Sequence, residues 1–171
     1  MSSSKKSFIS SFFNFIPIII LLFLSFSETD FNFSKQSFLS FNLIYILIFY
    51  WVLKNPEILG YGFIFFAGII NDAVIGLPIG VSSFTYLILT GFAAYIRYLT
   101  VQPSVIYDWI AFVPSIAVTN SIYFYTLRIF FDIDINYIAL ALNTGVTILL
   151  YPIVGILFNF LTKIMIGERN V

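Results

Sequence analysis

The sequence predicts an all-α membrane protein, a single domain over residues 1–171 built as a bundle of six transmembrane helices, with no soluble domain. Three observations carry that expectation. Charged residues make up 9% of the chain and hydrophobic residues 60%, where a soluble domain has about 25% charged residues. So few charges cannot coat a water-facing surface. The apolar residues fall in long blocks and the mean hydropathy is +1.01, so the medium around most of the chain is lipid. The polar breaks between blocks are short, and none is long enough to fold by itself.

A helix crossing the ~30 Å hydrocarbon core needs about 20 residues. The first block, 8–27, follows Lys5 and Lys6 and looks like a signal peptide. Glu28 and Asp30 follow it instead of a small-residue cleavage site, so it is expected to stay as a span that also directs insertion. "SETDFNFSKQ" leads to a second span, 37–53, and "KNPE" to a third, 57–75. "GLPIG" separates the third from a fourth, 79–98; the 42 residues from 57 to 98 are too many for one crossing. After "YLTVQPS" the fifth span, 105–131, is long and contains Pro114, with its first turn expected in the interface. After "FDIDIN" comes a sixth, 136–162, where Pro152 is expected to kink the helix.

Lysine and arginine set the orientation. With six spans both chain ends share a side, which receives Lys5, Lys6, Lys54, Arg97, Lys163 and Arg169. The other side receives Lys35 and Arg128, beside Glu28, Asp30, Asp132 and Asp134. Six against two predicts both termini in the cytoplasm.

Residues 71–80 read "NDAVIGLPIG". Asp72 falls about 24 Å along the third span from Pro56, in the outer part of the membrane. A charge at the bilayer centre costs about 2.5–3.5 kcal/mol, and less towards the edge. One reading is structural. Gly76 takes positive φ without a Cβ clash, Pro78 fixes φ and opens the next helix, and the chain reverses at 76–80. The fourth span then starts with unpaired N–H groups. A carboxylate one turn earlier accepts from them and meets the positive end of the helix dipole. Asn71 with Ser82 or Ser83 completes the cap, and Asp72 locks a hairpin. The other readings are a docking or two-state role, and a proton, cation or substrate site. No second deep acid is expected.

The pattern G-x-x-x-D-x-x-x-G-x-P-x-G, followed by an apolar helix ending in a basic residue, falls on Gly68, Asp72, Gly76, Pro78, Gly80 and Arg97. The segment carrying it, "FAGIINDAVIGLPIGVSSFTYLILTGFAAYIR", residues 66–97, resembles the rod-shape-determining MreD family. The size, the six spans and "VQPSVIYDWI" after the fourth span also fit. The resemblance implies an inner-membrane subunit of the bacterial cell-elongation complex, acting in cell shape and peptidoglycan synthesis. Its implied partners are the transmembrane helix of MreC, and MreB, RodA and a transpeptidase. The family also resembles, in its six-helix fold, the substrate-binding subunits of energy-coupling-factor vitamin transporters; fold alone does not fix function.

Elsewhere the sixth span carries Asn143, Thr147, Tyr151, Gly155 and Asn159 at intervals of four. Each step drifts about 40° around a helix, so the stripe winds. Small and polar residues suit helix contacts in lipid, either inside the bundle or against a partner's helix. Ser83, Thr90, Gly91 and Ala94 lie on roughly one side of the fourth span and also suit packing. Arg97, Gln102, Asp108 and Trp109 gather at the cytoplasmic end, where Trp109 suits the aromatic belt and Arg97 can pair with Asp108. Thr119 and Asn120 are expected to find partners on neighbouring helices.

With no Cys and no His, the chain has no thiolate metal site and no Ser-His arrangement. No glycine-rich phosphate loop precedes a lysine, and the zero net charge gives no footprint for nucleic acid. No cofactor and no catalysis are expected. A non-catalytic scaffold fits best. The alternative is a substrate-binding subunit of a small-molecule transporter. Its pocket needs Asn71, Asp72, Asn143 and Tyr151 to converge, hence contact between the third and sixth spans.

Overall fold

The structure, a computed structural model, describes residues 15–27, 41–100, 104–134 and 136–167, and these are helical throughout apart from short connections. The helices are α1 (Phe15–Phe26), α2 (Leu43–Lys54), α3 (Pro56–Leu59), α4 (Tyr61–Ile75), α5 (Val81–Leu99), α6 (Val105–Phe131) and α7 (Tyr137–Gly167). No strand occurs among the described residues. Residues 8–14 of the first expected span and 37–40 of the second lie outside the described residues. So do Lys5, Lys6, Glu28, Asp30, Lys35, Gln102 and Arg169.

α2 is the centre of the molecule. Every residue from Ile44 to Leu53 is buried, which is what a helix apolar on all sides requires. α5, α7, α6 and α3 pack around it, and Leu21 of α1 joins the same core. The side chain of Asn42 starts the helix, its Oδ1 accepting from the Tyr45 N–H at 3.1 Å. The Asn42 N–H itself donates to Thr147 Oγ1 of α7 at 2.9 Å. The cap stops α2 at Leu43, so its 12 residues give about 18 Å, less than the hydrocarbon thickness.

The third block is also interrupted. Gly60, at φ +54°, separates α3 from α4 in a backbone region that side chains rarely enter. α7 runs beyond the expected 136–162, ending at Gly167. Among the described residues, α6 and α7 are long and apolar enough to cross a membrane, while α1, α2 and α4 are apolar but shorter.

α4 and α5 are the most extensively packed pair, and the chain reverses between them. A second small core, Leu77, Val81, Tyr123, Phe124 and Leu127, fastens that reversal to the C-terminal half of α6. The opposite end of the bundle gathers charges. Lys54 at the end of α2 meets Asp108 in the first turn of α6. Asn55, Glu57 and Arg97 border one groove there. The bundle therefore has a turn end and a charged end.

Candidate functional site

The turn end is built around Asp72, whose side chain is fully buried. Gly76, at φ +75°, ends α4 in the left-handed region, and the Leu77 N–H reaches back to the Asp72 carbonyl at 2.9 Å. This is the closing bond of a Schellman-type terminus. Gly80, at φ +107°, aims the chain into α5. Its N–H donates to Asp72 Oδ2 at 2.7 Å, and the Ser82 N–H donates to Oδ1 at 3.0 Å and Oδ2 at 3.2 Å. Two backbone donors at the start of α5 are thus satisfied by one carboxylate, which also faces the positive end of the helix. Asn71 Nδ2 donates to Ser82 Oγ at 3.2 Å, tying the neighbouring side chain to the same turn.

Further down the hairpin α4 and α5 touch backbone to backbone. A Cβ on Gly68 would lie 2.4 Å from both Cα and N of Ser83, so no other residue fits without moving the helices apart. Ser83 Oγ donates to the Phe65 carbonyl at 2.9 Å across the same crossing. Four motif residues therefore have a definite part in one hairpin: Gly68 sets the approach, Asp72 binds the far side of the turn, and Gly76 and Gly80 supply the two left-handed residues. Pro78 lies in the turn, where its carbonyl accepts from the Val81 N–H at 3.4 Å. The sixth, Arg97, is not with them. It lies in the last turn of α5, about 26 Å from Gly80 along the helix.

The charged end corrects two sequence expectations. Asp108 is a second buried acid, 3% exposed, and it pairs with Lys54 at 2.6 Å rather than with Arg97. Asp108 is in the first turn of α6 and Lys54 in the last turn of α2, so each charge also faces the helix end that favours it. Trp109 is more than an interfacial anchor. Its indole N–H donates to the Ile148 carbonyl of α7 at 2.8 Å. Pro152 has no N–H, so Ile148 has lost its i+4 partner inside the helix. Trp109 replaces that partner from α6. Neither link was readable from spacing. Pro152 did signal that the carbonyl four residues earlier would need a donor.

The α7 stripe turns inward. Asn143, Thr147 and Tyr151 are buried, Gly155 is buried, and Asn159 is half-buried. Thr147 receives the Asn42 N–H. Tyr151 stacks on Phe112, with centroids 4.5 Å apart and planes at 24°, and meets Phe49 edge-on at 5.9 Å. A Cβ on Gly155 would make ordinary contacts of 3.9 and 4.0 Å, so that position is small but not tight. On α5 the buried face holds Ser82, Ser83, Tyr86, Thr90 and Ala93. Gly91 is exposed and Ala94 only partly buried, because the 3.6-residue period carries Gly91 off that face. Asn120 Nδ2 donates to Thr144 Oγ1 of α7 at 2.7 Å. Thr119 Oγ1 is buried with no hydrogen-bond partner among the described residues.

Of the four groups that a substrate pocket would need, Asn71 and Asp72 lie on α4 and Asn143 and Tyr151 on α7. α4 packs on α5, and α7 packs on α6 and α2; α4 and α7 share no extensive contact. The Asp72 oxygens are occupied by Gly80 and Ser82. Among the described residues no cluster of acids is placed to hold a metal ion. Comparison with protein-family models, with curated protein sequences and with solved structures finds no match for this chain.

Proposed function

We propose that this chain is a six-span, non-catalytic scaffold of the bacterial inner membrane with both termini in the cytoplasm. It belongs in the cell-elongation complex, in the role of the MreD-like subunit, and regulates cell shape and peptidoglycan synthesis by binding the transmembrane helix of MreC. MreB, RodA and a transpeptidase are the further partners of that assembly. Helices α1, α2, α3 with α4, α5, α6 and α7 are its six crossings, the shorter ones buried among the longer.

One observation carries the reading: the Gly68–Asp72–Gly76–Pro78–Gly80 motif is a self-satisfied hairpin. Its acid is bound by two backbone donors, so its oxygens serve the turn rather than a ligand. A rigid hairpin is what a scaffold needs in order to present lipid-facing helices to a partner helix. The transporter alternative is less well supported, because Asp72 and Tyr151 sit on helices that share no extensive contact.

The test is co-purification of MreC with the chain from native membranes in mild detergent. Its absence removes the partnership. Depletion of the protein should round rod-shaped cells and leave vitamin uptake intact; lost uptake in cells that stay rod-shaped points to the transporter.

A further inference from the structure

At the charged end, α1, α3, α4 and α5 enclose a groove of about 530 Å³. Phe15, Ile18 and Phe63 contribute apolar lining, and Asn55, Glu57 and Arg97 contribute polar lining. The chain breaks that make it are local. Asn55 and Pro56 end α2 and start α3, and Gly60 turns α3 into α4. The four-residue α3 places Glu57, which is exposed, in the lining of the groove.

The two charges are the informative part. Lys54 and Asp108, close by, are paired with each other. Arg128 and Asp134, at the turn end, are also paired. Glu57 and Arg97 border the same groove, yet neither makes a hydrogen bond or ion pair among the described residues. An acid and a base that share a cavity and do not close on each other present opposite charges to an occupant. In the six-span reading this end faces the cytoplasmic lipid–water boundary, where the abundant molecules with an apolar body and a charged head are phospholipids.

We infer that this groove binds the headgroup of a zwitterionic phospholipid bearing a primary ammonium. The Arg97 guanidinium takes the phosphate, for which its planar donors are suited. The Glu57 carboxylate accepts from the ammonium N–H groups. A quaternary ammonium has no N–H to give and is held less well. The acyl chains leave over Phe15 and Phe63 into the bilayer. The acid beside the arginine also disfavours lipids of net negative charge, which a purely basic pocket would select. The occupant is the lipid rather than its free headgroup, because the exposed rings of Phe15 and Phe63 line the same groove as the two charges. This rests on the membrane placement proposed above and not on the elongation partners, so MreC co-purification fails or succeeds independently of it.

The experiment is native mass spectrometry of the intact chain released from bilayers of equal parts phosphatidylethanolamine, phosphatidylcholine and phosphatidylglycerol. The wild-type chain should retain phosphatidylethanolamine several-fold over either competitor. Glu57→Gln should bring the ethanolamine-to-choline ratio close to one while still retaining phospholipid. Arg97→Gln should lose retention of all three. Both side chains are exposed and bond to nothing described, so thermal midpoints in detergent should match the wild type. Equal retention of the three lipids by the wild-type chain, or preferred phosphatidylglycerol, overturns the assignment. So does displacement of the lipid by free phosphoethanolamine at matched concentration. The wild-type comparison alone is decisive even if a variant melts early.

Discussion

Asp72 and Asp108 are both buried carboxylates, one at each end of the bundle, and they are held in contrasting ways. Asp72 is bound by backbone N–H groups of Gly80 and Ser82, eight and ten residues ahead in the chain. Asp108 is bound by the side chain of Lys54 on another helix. The first site is made by a turn. Its donors are main-chain N–H groups, so there is no partner side chain to exchange along with the acid. The second site is made by tertiary packing. Both of its partners are side chains, and both can be exchanged together. A carboxylate satisfied by backbone is therefore irreplaceable, while one satisfied by a side chain is one half of an exchangeable pair.

The largest expected effect is at the turn. Asp72→Ala strands the buried Ser82 donor and the part-buried Gly80 donor, and with about 1–3 kcal/mol for a fully buried donor a loss of about 3 kcal/mol should appear as a large drop in thermal midpoint in detergent. Asp72→Asn keeps one acceptor and should fall between. Unchanged melting for Asp72→Ala would remove the lock. Next is Gly68→Ala, which forces a Cβ to 2.4 Å from the Ser83 backbone and should cost about 1–3 kcal/mol. Gly91→Ala on the exposed side of the same helix pair meets nothing within 4 Å and should be neutral or slightly stabilising. If both alanines behave alike, the helices are not in contact at Gly68.

The Lys54–Asp108 pair should behave differently from the turn. Breaking a fully buried pair costs about 3–5 kcal/mol. Lys54 is 21% exposed and can swing towards water, so about 1–3 kcal/mol is expected for Asp108→Ala. The double change Lys54→Met with Asp108→Leu should recover most of that loss. Additive losses in the double variant would show that the two residues do not act as a unit. Smaller still is Trp109→Phe, which leaves the Ile148 carbonyl without its donor, at about 1 kcal/mol. Combining it with Pro152→Ala restores an N–H inside α7 and should return the melting point. Failure of that rescue would detach Trp109 from the proline. At the exposed Arg128–Asp134 pair, where the Asp134 side chain is 97% exposed, Asp134→Asn should leave melting unchanged.

How legible each site was in the sequence follows from the same contrast. The Asp72 hairpin was readable in nearly every part: the reversal at 76–80, the left-handed Gly76, the capping of α5 and the tie from Asn71 to Ser82. All of these lie within about twelve residues, where backbone geometry leaves few options. Gly68 stood out in the motif, but its reason, the approach of Ser83, needed the crossing of two helices. Asp108 was misassigned because Lys54 and Arg97 both fall at the same end of the bundle, and charge sign alone does not choose between them. Thr119 was expected to find a partner and has none among the described residues. The start of α2 at Leu43 depended on Asn42 meeting Thr147, 105 residues away.

By itself the sequence determined that the chain is a succession of apolar helices, where most of them are interrupted though not the break at Gly60, and how the Gly76–Gly80 turn closes. Those features follow from block length, from proline and glycine backbone limits, and from donors and acceptors a turn apart. Only the tertiary structure decided that α2 is central, that Lys54 meets Asp108, and that Glu57 and Arg97 border one groove. The reason is physical. In a protein surrounded by water, polarity marks the outer face of each helix. In lipid the outside is as apolar as the core, so composition does not say which side turns inward. Neighbours are then chosen by shape and by scattered polar contacts, and those become visible once the helices are packed.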